Sequence, residues 1–394
     1  MEKPKIALLL NSFWVSGAGM SGGDQRLIKI FNRIGKNFQV DVWTSTDGKK
    51  SMASGLPSAN FIVAPKKFDR FGIFPAYFWR SRWVKREIVK KNYDIIYCGS
   101  DFITEVLPAT KYKSKNPSAI WVQCIFHLYP NWRKRPGNKI INFFAGVSQN
   151  RCLKLIQRRA DKIVNINYQV REELIHKYHL EKNKIGVNPC GIDMKYFEKI
   201  KAKKNKNQAC FLARLVPSKG IFDLPEIWRE VVAKNSDAKL KIIGGGSQAI
   251  KDQLRKEFEN LGLKKNIEIL GFLPDEVAYK ILKSSELFIF PSHEEGFGIA
   301  IAEAFAAGVP VVAWNLPVYA EVFAGAVVTA GIGERKNFAE KISSLLKNQK
   351  SLAKLASRGR SVVKKYSWQA IAAEEMKIIS NAKLQMSNER IKSK

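Results

Sequence analysis

Short, unbroken runs of β-branched and aromatic residues, each followed by a longer amphipathic stretch, constrain this chain more than any other feature. In the first half they cover residues 5–11, 39–44, 61–64, 94–98, 119–126 and 162–166. A basic polar stretch at 199–208 interrupts the series, which resumes at 209–213, 239–243, 267–270, 287–290, 309–313 and 326–328. The runs are too short for helices and do not alternate, so they read as strands covered on both faces. Covered strands separated by helices predict an α/β fold of doubly wound parallel sheets. Two series either side of a charged linker predict two Rossmann-like domains facing a central cleft, 1–198 and 199–366. Ligands of such sheets bind at the carboxyl ends of the strands, so the loops that follow strands are where chemistry is sought.

Local punctuation supports the helices between the runs. Ser247 reads as the N-cap of a helix over 248–260, with Gly262 beyond its end. Asp275, after Pro274, reads as the cap of 276–283, and the stretch 298–307 stops at Gly308 with Pro310 following. The apolar content, 45% of 394 residues, excludes a chain that is disordered throughout. No stretch reaches the roughly 18–20 apolar residues that cross a bilayer. The best candidate, 299–314, is broken by Glu303, Gly308 and Pro310. Lys3 and Lys5 before five apolar residues mimic a leader, but Asn11 ends the run and it reads as a first strand. The expectation is a cytoplasmic protein, soluble or peripheral on the inner membrane face. Cys98, Cys124, Cys152, Cys190 and Cys210 show no ligand spacing and read as small buried residues.

Two post-strand segments carry chemistry. In the first, Glu295, Gly296, Phe297 and Gly298 form a turn between a strand and a helix that contains Glu303. Free N–H groups at a helix start bind anions, and glycine lets a phosphate approach the backbone. Glu303 suits a vicinal diol such as a ribose, and Glu295 a second polyhydroxylated group. In the second, Arg214 and Lys219 stand five apart on a loop closed by Pro217 and Gly220. Both cations can point at one diphosphate, the arginine as a fork and the lysine as a point charge. No Asp-x-Asp occurs, and no cluster has metal-ligand spacing, so no metal site is expected and no cofactor.

Arg-x4-Lys followed by Glu-x7-Glu resembles the retaining, GT-B-fold glycosyltransferases of family 4. Other motifs of that family stand in order: Gly17, Gly19, Gly22 and Gly23 after the first strand, Tyr93-Asp-Ile-Ile, Val187-Asn-Pro-Cys-Gly-Ile-Asp193, Ile242-Ile-Gly-Gly-Gly-Ser247, Gly271-Phe-Leu-Pro274 and Gly308-Val-Pro-Val-Val312. The resemblance implies transfer of a sugar from a nucleotide-diphosphate donor, a UDP- or GDP-sugar, to a sugar or lipid-linked acceptor in cell-envelope polysaccharide, glycolipid or glycan synthesis. It implies that Arg214 and Lys219 hold the diphosphate and that Glu303 binds the ribose. Glu295 with the amides of Gly296, Phe297 and Gly298 would orient the transferred sugar. Gly244, Gly245, Phe272 and Leu273 would line the base pocket, and Gly22 and Gly23 would close on the phosphates. His127, after the run 119–126, stands where family members contact the transferred sugar, while His293 is given no role. The segment from Trp368 onward resembles the terminal helix that crosses back onto the first domain, so 367–394 is assigned there. Two positions depart from the family: Cys190 replaces an asparagine, and Asp24-Gln25 follows Gly23.

Charge adds a partner. The formal net charge is +32, and residues 1–200 carry 35 basic against 15 acidic side chains. Aromatics interleave with arginine and lysine over 70–86, and the theme returns at 131–135 and 151–159. This reads as a segment resting on an anionic membrane, as a solvated helix face, or as a sequence-independent nucleic-acid surface without any recognition motif. Two other function classes stay open: a sugar-nucleotide epimerase on the same fold, and a non-enzymatic polyanion-binding protein.

Overall fold

The computed structural model describes residues 2–13, 20–133, 135 and 137–392, without the side chains of Phe71 and of residues beyond 382. Gly17 and Gly19 of the glycine loop lie outside the described residues. The chain divides into two compact units: residues 20–191 with the N-terminal strand and the last helix, and residues 192–367. The second unit thus begins at Ile192 rather than at Lys199.

The first unit contains β1 (Lys5–Leu9), α1 (Gly22–Ile34), β2 (Gln39–Thr44), α2 (Thr46–Met52), β3 (Asn60–Val63), α3 (Ile73–Glu87), β4 (Ile95–Cys98), α4 (Ile103–Lys115), β5 (Ile120–Ile125), α5 (Lys139–Arg159), β6 (Lys162–Asn165), α6 (Tyr168–His176) and β7 (Ile185–Val187). Its sheet runs β3-β2-β1-β4-β5-β6-β7, parallel throughout. The order reverses between β1 and β4, the position at which doubly wound sheets open a binding crevice. The residues of β4 and β5 are buried without interruption, as their unbroken apolar runs require. β7 is the one strand of this sheet that the apolar runs did not announce. It has three residues with Gly186 at its centre, too few for a period to be read.

The second unit contains α7 (Met194–Lys199), β8 (Asn205–Leu212), α8 (Leu224–Lys234), β9 (Lys239–Ile243), α9 (Gln248–Asn260), β10 (Ile267–Gly271), α10 (Asp275–Ser284), β11 (Ser285–Phe290), α11 (Ile299–Ala306), β12 (Val311–Trp314), α12 (Pro317–Phe323), β13 (Val328–Ala330), α13 (Arg335–Leu346) and α14 (Gln349–Val363). Its sheet, β10-β9-β8-β11-β12-β13, is also parallel and reverses between β8 and β11. Trp228 and Trp314 are fully buried in its core.

Ser247 caps α9 as its position implies, accepting from the Ile250 N–H at 3.3 Å. Asp275 does not cap α10. The Pro274 carbonyl accepts from both Val277 and Ala278 at 3.0 Å, so the helix starts one residue earlier and Asp275 lies inside its first turn. There its charge still favours the positive end of the helix.

After the second unit, α15 (Trp368–Lys392) returns to the first and packs on α1. The contact is fixed by charge as well as by apolar burial. Arg26 of α1 and Glu375 of α15 are both 0% exposed and paired at 2.7 Å. Asn188 donates to the same Glu375 oxygen at 2.7 Å, and Tyr97 donates to the other. A pair of this kind is costly to break from one side, because the remaining charge is buried alone.

Candidate functional site

The two motifs follow β8 and β11, the neighbours at the reversal of the second sheet. After β8 the chain carries Arg214 outward, turns through the short 3₁₀ stretch Pro217–Lys219, and closes at Gly220. Gly220 has φ +70, and a Cβ there would stand 1.7 Å from the Pro291 carbonyl oxygen. Only glycine lets this loop press against the start of the loop after β11. The two loops are then joined by the His293 N–H, which donates to the Ser218 carbonyl at 2.9 Å.

Lys219 completes the joint. Its Nζ lies 2.6 Å from Glu295 Oε1 and 3.3 Å from the Glu294 carbonyl. Ser292 Oγ donates to the same Glu295 oxygen at 3.0 Å. The pair is largely enclosed, at 16% and 11% side-chain exposure, so solvent screens it less than a surface pair. Arg214 is exposed, and among the described residues its guanidinium has no hydrogen bond or ion pair, although its carbonyl accepts from the Val216 N–H at 2.9 Å. One cation is therefore held against a carboxylate while the other stands free on the same loop.

Gly298, with φ +88, turns the chain into α11, and the buried ring of Phe297 packs on Phe323 and Tyr366. That packing fixes the backbone of the turn whose amides the motif singles out. Glu303, one turn into α11, accepts a hydrogen bond from Tyr279 at 2.6 Å. Burial, then the nearby Glu303 charge, holds the Tyr279 phenol far above its ordinary range, so it stays a donor.

The glycines after β9 have a packing reason too. A Cβ on Gly244 would meet the Ala213 carbonyl oxygen at 1.7 Å, and the Leu215 N–H donates to the Gly245 carbonyl at 2.7 Å. The Arg214 loop thus lies directly on Gly244 and Gly245. Phe272, after β10, is 70% exposed, a free aromatic face beside the half-buried Leu273.

His293, left without a role by its position in the sequence, belongs to a charged network behind these loops. Its Nε2 lies 2.6 Å from Asp223 Oδ2, while Arg335 holds Asp223 Oδ1 at 2.8 Å and Glu226 at 2.8 Å. Burial alone would raise the Asp223 carboxyl, but hydrogen bonds from His293 and Arg335 outweigh it and hold it low. Asp223 stands at the start of α8, so the network ties that helix to the loop after β11.

In the first unit Gly22 and Gly23 open α1. A Cβ on Gly23 would lie 2.6 Å from the Phe126 ring, so any larger residue there displaces that ring. Asp24, the departure from the family pattern, closes a capping box. Ser21 Oγ accepts from the Asp24 N–H at 3.1 Å, and Asp24 Oδ2 accepts from the Ser21 N–H at 3.1 Å. His127 follows β5, half-buried, its ring 5.1 Å from that of Tyr129 and its carbonyl accepting from Gln149 at 3.1 Å.

Gln149 also donates to Asp101 at 2.7 Å. Burial pushes Asp101 up to about 6 against that hydrogen bond. Glu105 is buried between the loops after β1 and β4, accepting from the Ser12 hydroxyl at 2.7 Å and the Ser100 N–H at 2.6 Å. Burial pushes it up to about 8 despite those donors. Neither acid was singled out from the sequence, where each looks like a solvated residue at a helix start. Among the described residues, no group of three His, Cys, Asp or Glu side chains is placed to hold a metal ion. All five cysteines are buried, and none is in a disulfide.

Family models match the two units in turn: Glycosyltransferase Family 4 over residues 26–196 and Glycosyl transferases group 1 over residues 193–362. The chain belongs to this glycosyltransferase family. A D-inositol 3-phosphate glycosyltransferase of Segniliparus rotundus is 29% identical over 54% of this family 4 chain and 50% of its own length. A 2-deoxystreptamine N-acetyl-D-glucosaminyltransferase of Niallia circulans is 24% identical over 68% of this chain and 71% of its own. The alignment thus spans half the length of the first relative. In fold, the glycosyltransferase is similar to Anabaena HepE, solved with UDP and glucose, at TM-score 0.76 and 17% identity over 96% of this chain and 99% of that one. The GT-B architecture of two Rossmann-like parallel-sheet units is therefore that of a known fold.

Proposed function

We propose that this glycosyltransferase moves a sugar from a nucleotide-diphosphate donor, a UDP- or GDP-sugar, to a hydroxyl acceptor, with retention at the anomeric carbon and without a metal ion. One observation carries the reading. The cation loop after β8 and the glycine–glutamate loop after β11 leave neighbouring strands at the sheet reversal and meet through Lys219 and Glu295. A diphosphate entering there replaces Glu295 as the partner of Lys219 and gains the exposed fork of Arg214. The released Glu295 accepts from hydroxyls of the donor sugar, Glu303 from the ribose, and Phe272 offers its face to the base. The HepE complex with UDP supports a donor of that class.

In the reaction the bond from the anomeric carbon to the diphosphate oxygen breaks and a bond from the acceptor oxygen forms on the same face. The acceptor proton passes to the leaving diphosphate. The diphosphate is already anionic in the intact donor and gains further negative charge as it departs, and fixed cations and α11 amides stabilise that added charge more than the ground state. The acceptor class that suits the basic aromatic first unit is a lipid-linked or sugar hydroxyl in cell-envelope glycan or glycolipid synthesis.

The test is turnover of a panel of UDP- and GDP-sugars in the presence of a chelator, with the product anomer read by NMR. Release of nucleoside diphosphate with a retained linkage is expected, and Lys219→Ala should slow it about 100- to 1000-fold. A requirement for added metal, an inverted product, or an epimerised donor without transfer would overturn the corresponding part of the proposal.

A further inference from the structure

We infer that the outer face of α3 and the first turns of α5 form a docking surface for an anionic phospholipid bilayer. Of the thirteen large apolar side chains exposed among the described residues, eight fall between residues 74 and 144. Phe74, Phe78 and Trp79 stand on α3, and Ile140, Phe143 and Phe144 on α5, with Phe78 at 61% and Ile140 at 69% exposure. Scattered apolar residues on a surface need no explanation, but a concentration of aromatics does.

The sequence of α3 shows why its outer face is built this way. Ala76, Arg80 and Val84 are buried, and Arg80 is neutralised by Asp69 at 2.6 Å. Phe74, Phe78, Arg82 and Lys85 follow one another at helical spacing on the opposite side. The face is therefore aromatic at its N-terminal end and cationic further along. Beside it opens a groove of about 540 Å³, in which Lys67, Arg82, Lys85, Arg86 and Lys111 surround Trp79, Trp83 and Phe68. Of these five cations, Arg86 alone has an acidic partner among the described residues, the neighbouring Glu87. Five cations around an apolar floor match a phosphate head group above its acyl chains.

The two helices share one rim of the first unit. Tyr77 of α3 donates to the Ser12 carbonyl after β1 at 2.5 Å, and Gln149 of α5 reaches Asp101 after β4. Tyr77 also meets Phe102, at the start of α4, with ring centroids 6.1 Å apart. Both aromatic groups thus border the carboxyl ends of the strands. Residues 66–159, which contain them, hold 20 basic and 5 acidic side chains. Charge favours an anionic partner, and the aromatics favour one into which they can insert. No helix among the described residues is long and apolar enough to span a membrane, so the contact is interfacial.

The experiment is co-sedimentation of the purified chain with phosphatidylcholine vesicles and with vesicles also containing phosphatidylglycerol. Two variants change only exposed residues outside the donor machinery: Lys67→Glu with Lys85→Glu, and Phe78→Ser with Phe144→Ser. Circular dichroism checks that both fold, and UDP or GDP binding without vesicles should stay unchanged, which separates this inference from the transferase reading. Binding at least tenfold tighter to the anionic vesicles is expected, weakened about tenfold or more by either variant. Equal affinity for both vesicles, no binding of the unchanged chain, or aromatic variants that bind as before would overturn it. The last result, together with salt-sensitive binding of RNA lost in the lysine variant, would make the face a polyanion site instead.

Discussion

In the first unit the acids at the carboxyl ends of the strands are turned inward: Glu105 between the loops after β1 and β4, Asp101 under Gln149. In the second unit the corresponding loops pair Lys219 with Glu295, leave Arg214 exposed, and back them with Asp223 between His293 and Arg335. The sheets have the same order of crossing at their reversal points, yet one rim buries Glu105 and Asp101 among neutral donors and the other pairs its acids with cations. A topology supplies the place where loops converge, and the side chains on those loops decide what it is for.

The comparison can be broken from either side. Largest in effect should be the loss of the buried pair that seats α15. Glu375→Ala should destabilise the first unit by about 3–5 kcal/mol, read as an early transition in chemical denaturation. Unchanged stability would mean the pair contributes nothing. Next is the loop joint of the second unit. Gly220→Ala forces both a left-handed backbone and a clash with Pro291, and should cost about 3 kcal/mol or more. Gly137→Ala in the first unit has φ +98 but open space around it, so only the backbone strain of about 1 kcal/mol remains. Equal losses would remove the claim that the loops after β8 and β11 are pressed together.

A pH series should separate the units by sign. Glu105 and Asp101 have folded values raised to about 8 and about 6, so the native state holds more protons than the unfolded chain above about pH 4. Stability of the first unit is then full below the unfolded values and declines as pH rises toward 8, by at most about 1.4 kcal/mol per pH unit for each group. Asp223, held low, acts oppositely: its contribution is present above about pH 4 and is lost on acidification. Thermal denaturation from pH 5 to 8 should show the decline, and Glu105→Gln should flatten it. A smaller effect follows from the proposed stacking of the base on exposed Phe272: Phe272→Ala should weaken nucleotide binding by about 1–2 kcal/mol with no change in melting temperature.

Much of this was legible beforehand because burial on two faces leaves an unbroken apolar run. The runs at 239–243 and 39–44 coincide with β9 and β2. Glu295 and Lys219 were legible as candidates because both lie in short loops after such runs, and parallel topology brings those loops to one rim. Their direct contact was not legible, since it depends on Gly220 passing within reach of Pro291. Asp101, Glu105 and His293 were missed for a related reason. A single acid or histidine beside a helix start looks solvated until the strand order places another loop on top of it. Asp275 misled because a proline carbonyl can open a helix without any side-chain cap.

The most direct test of the donor site is calorimetric titration of UDP and GDP into the unchanged chain and into Arg214→Ala and Lys219→Ala, with chelator throughout. Saturable binding of one nucleotide, weakened at least about tenfold by each substitution, is the expected result. Binding that is absent without metal, or that keeps its full strength when both cations are removed, would contradict a diphosphate held between the loops after β8 and β11.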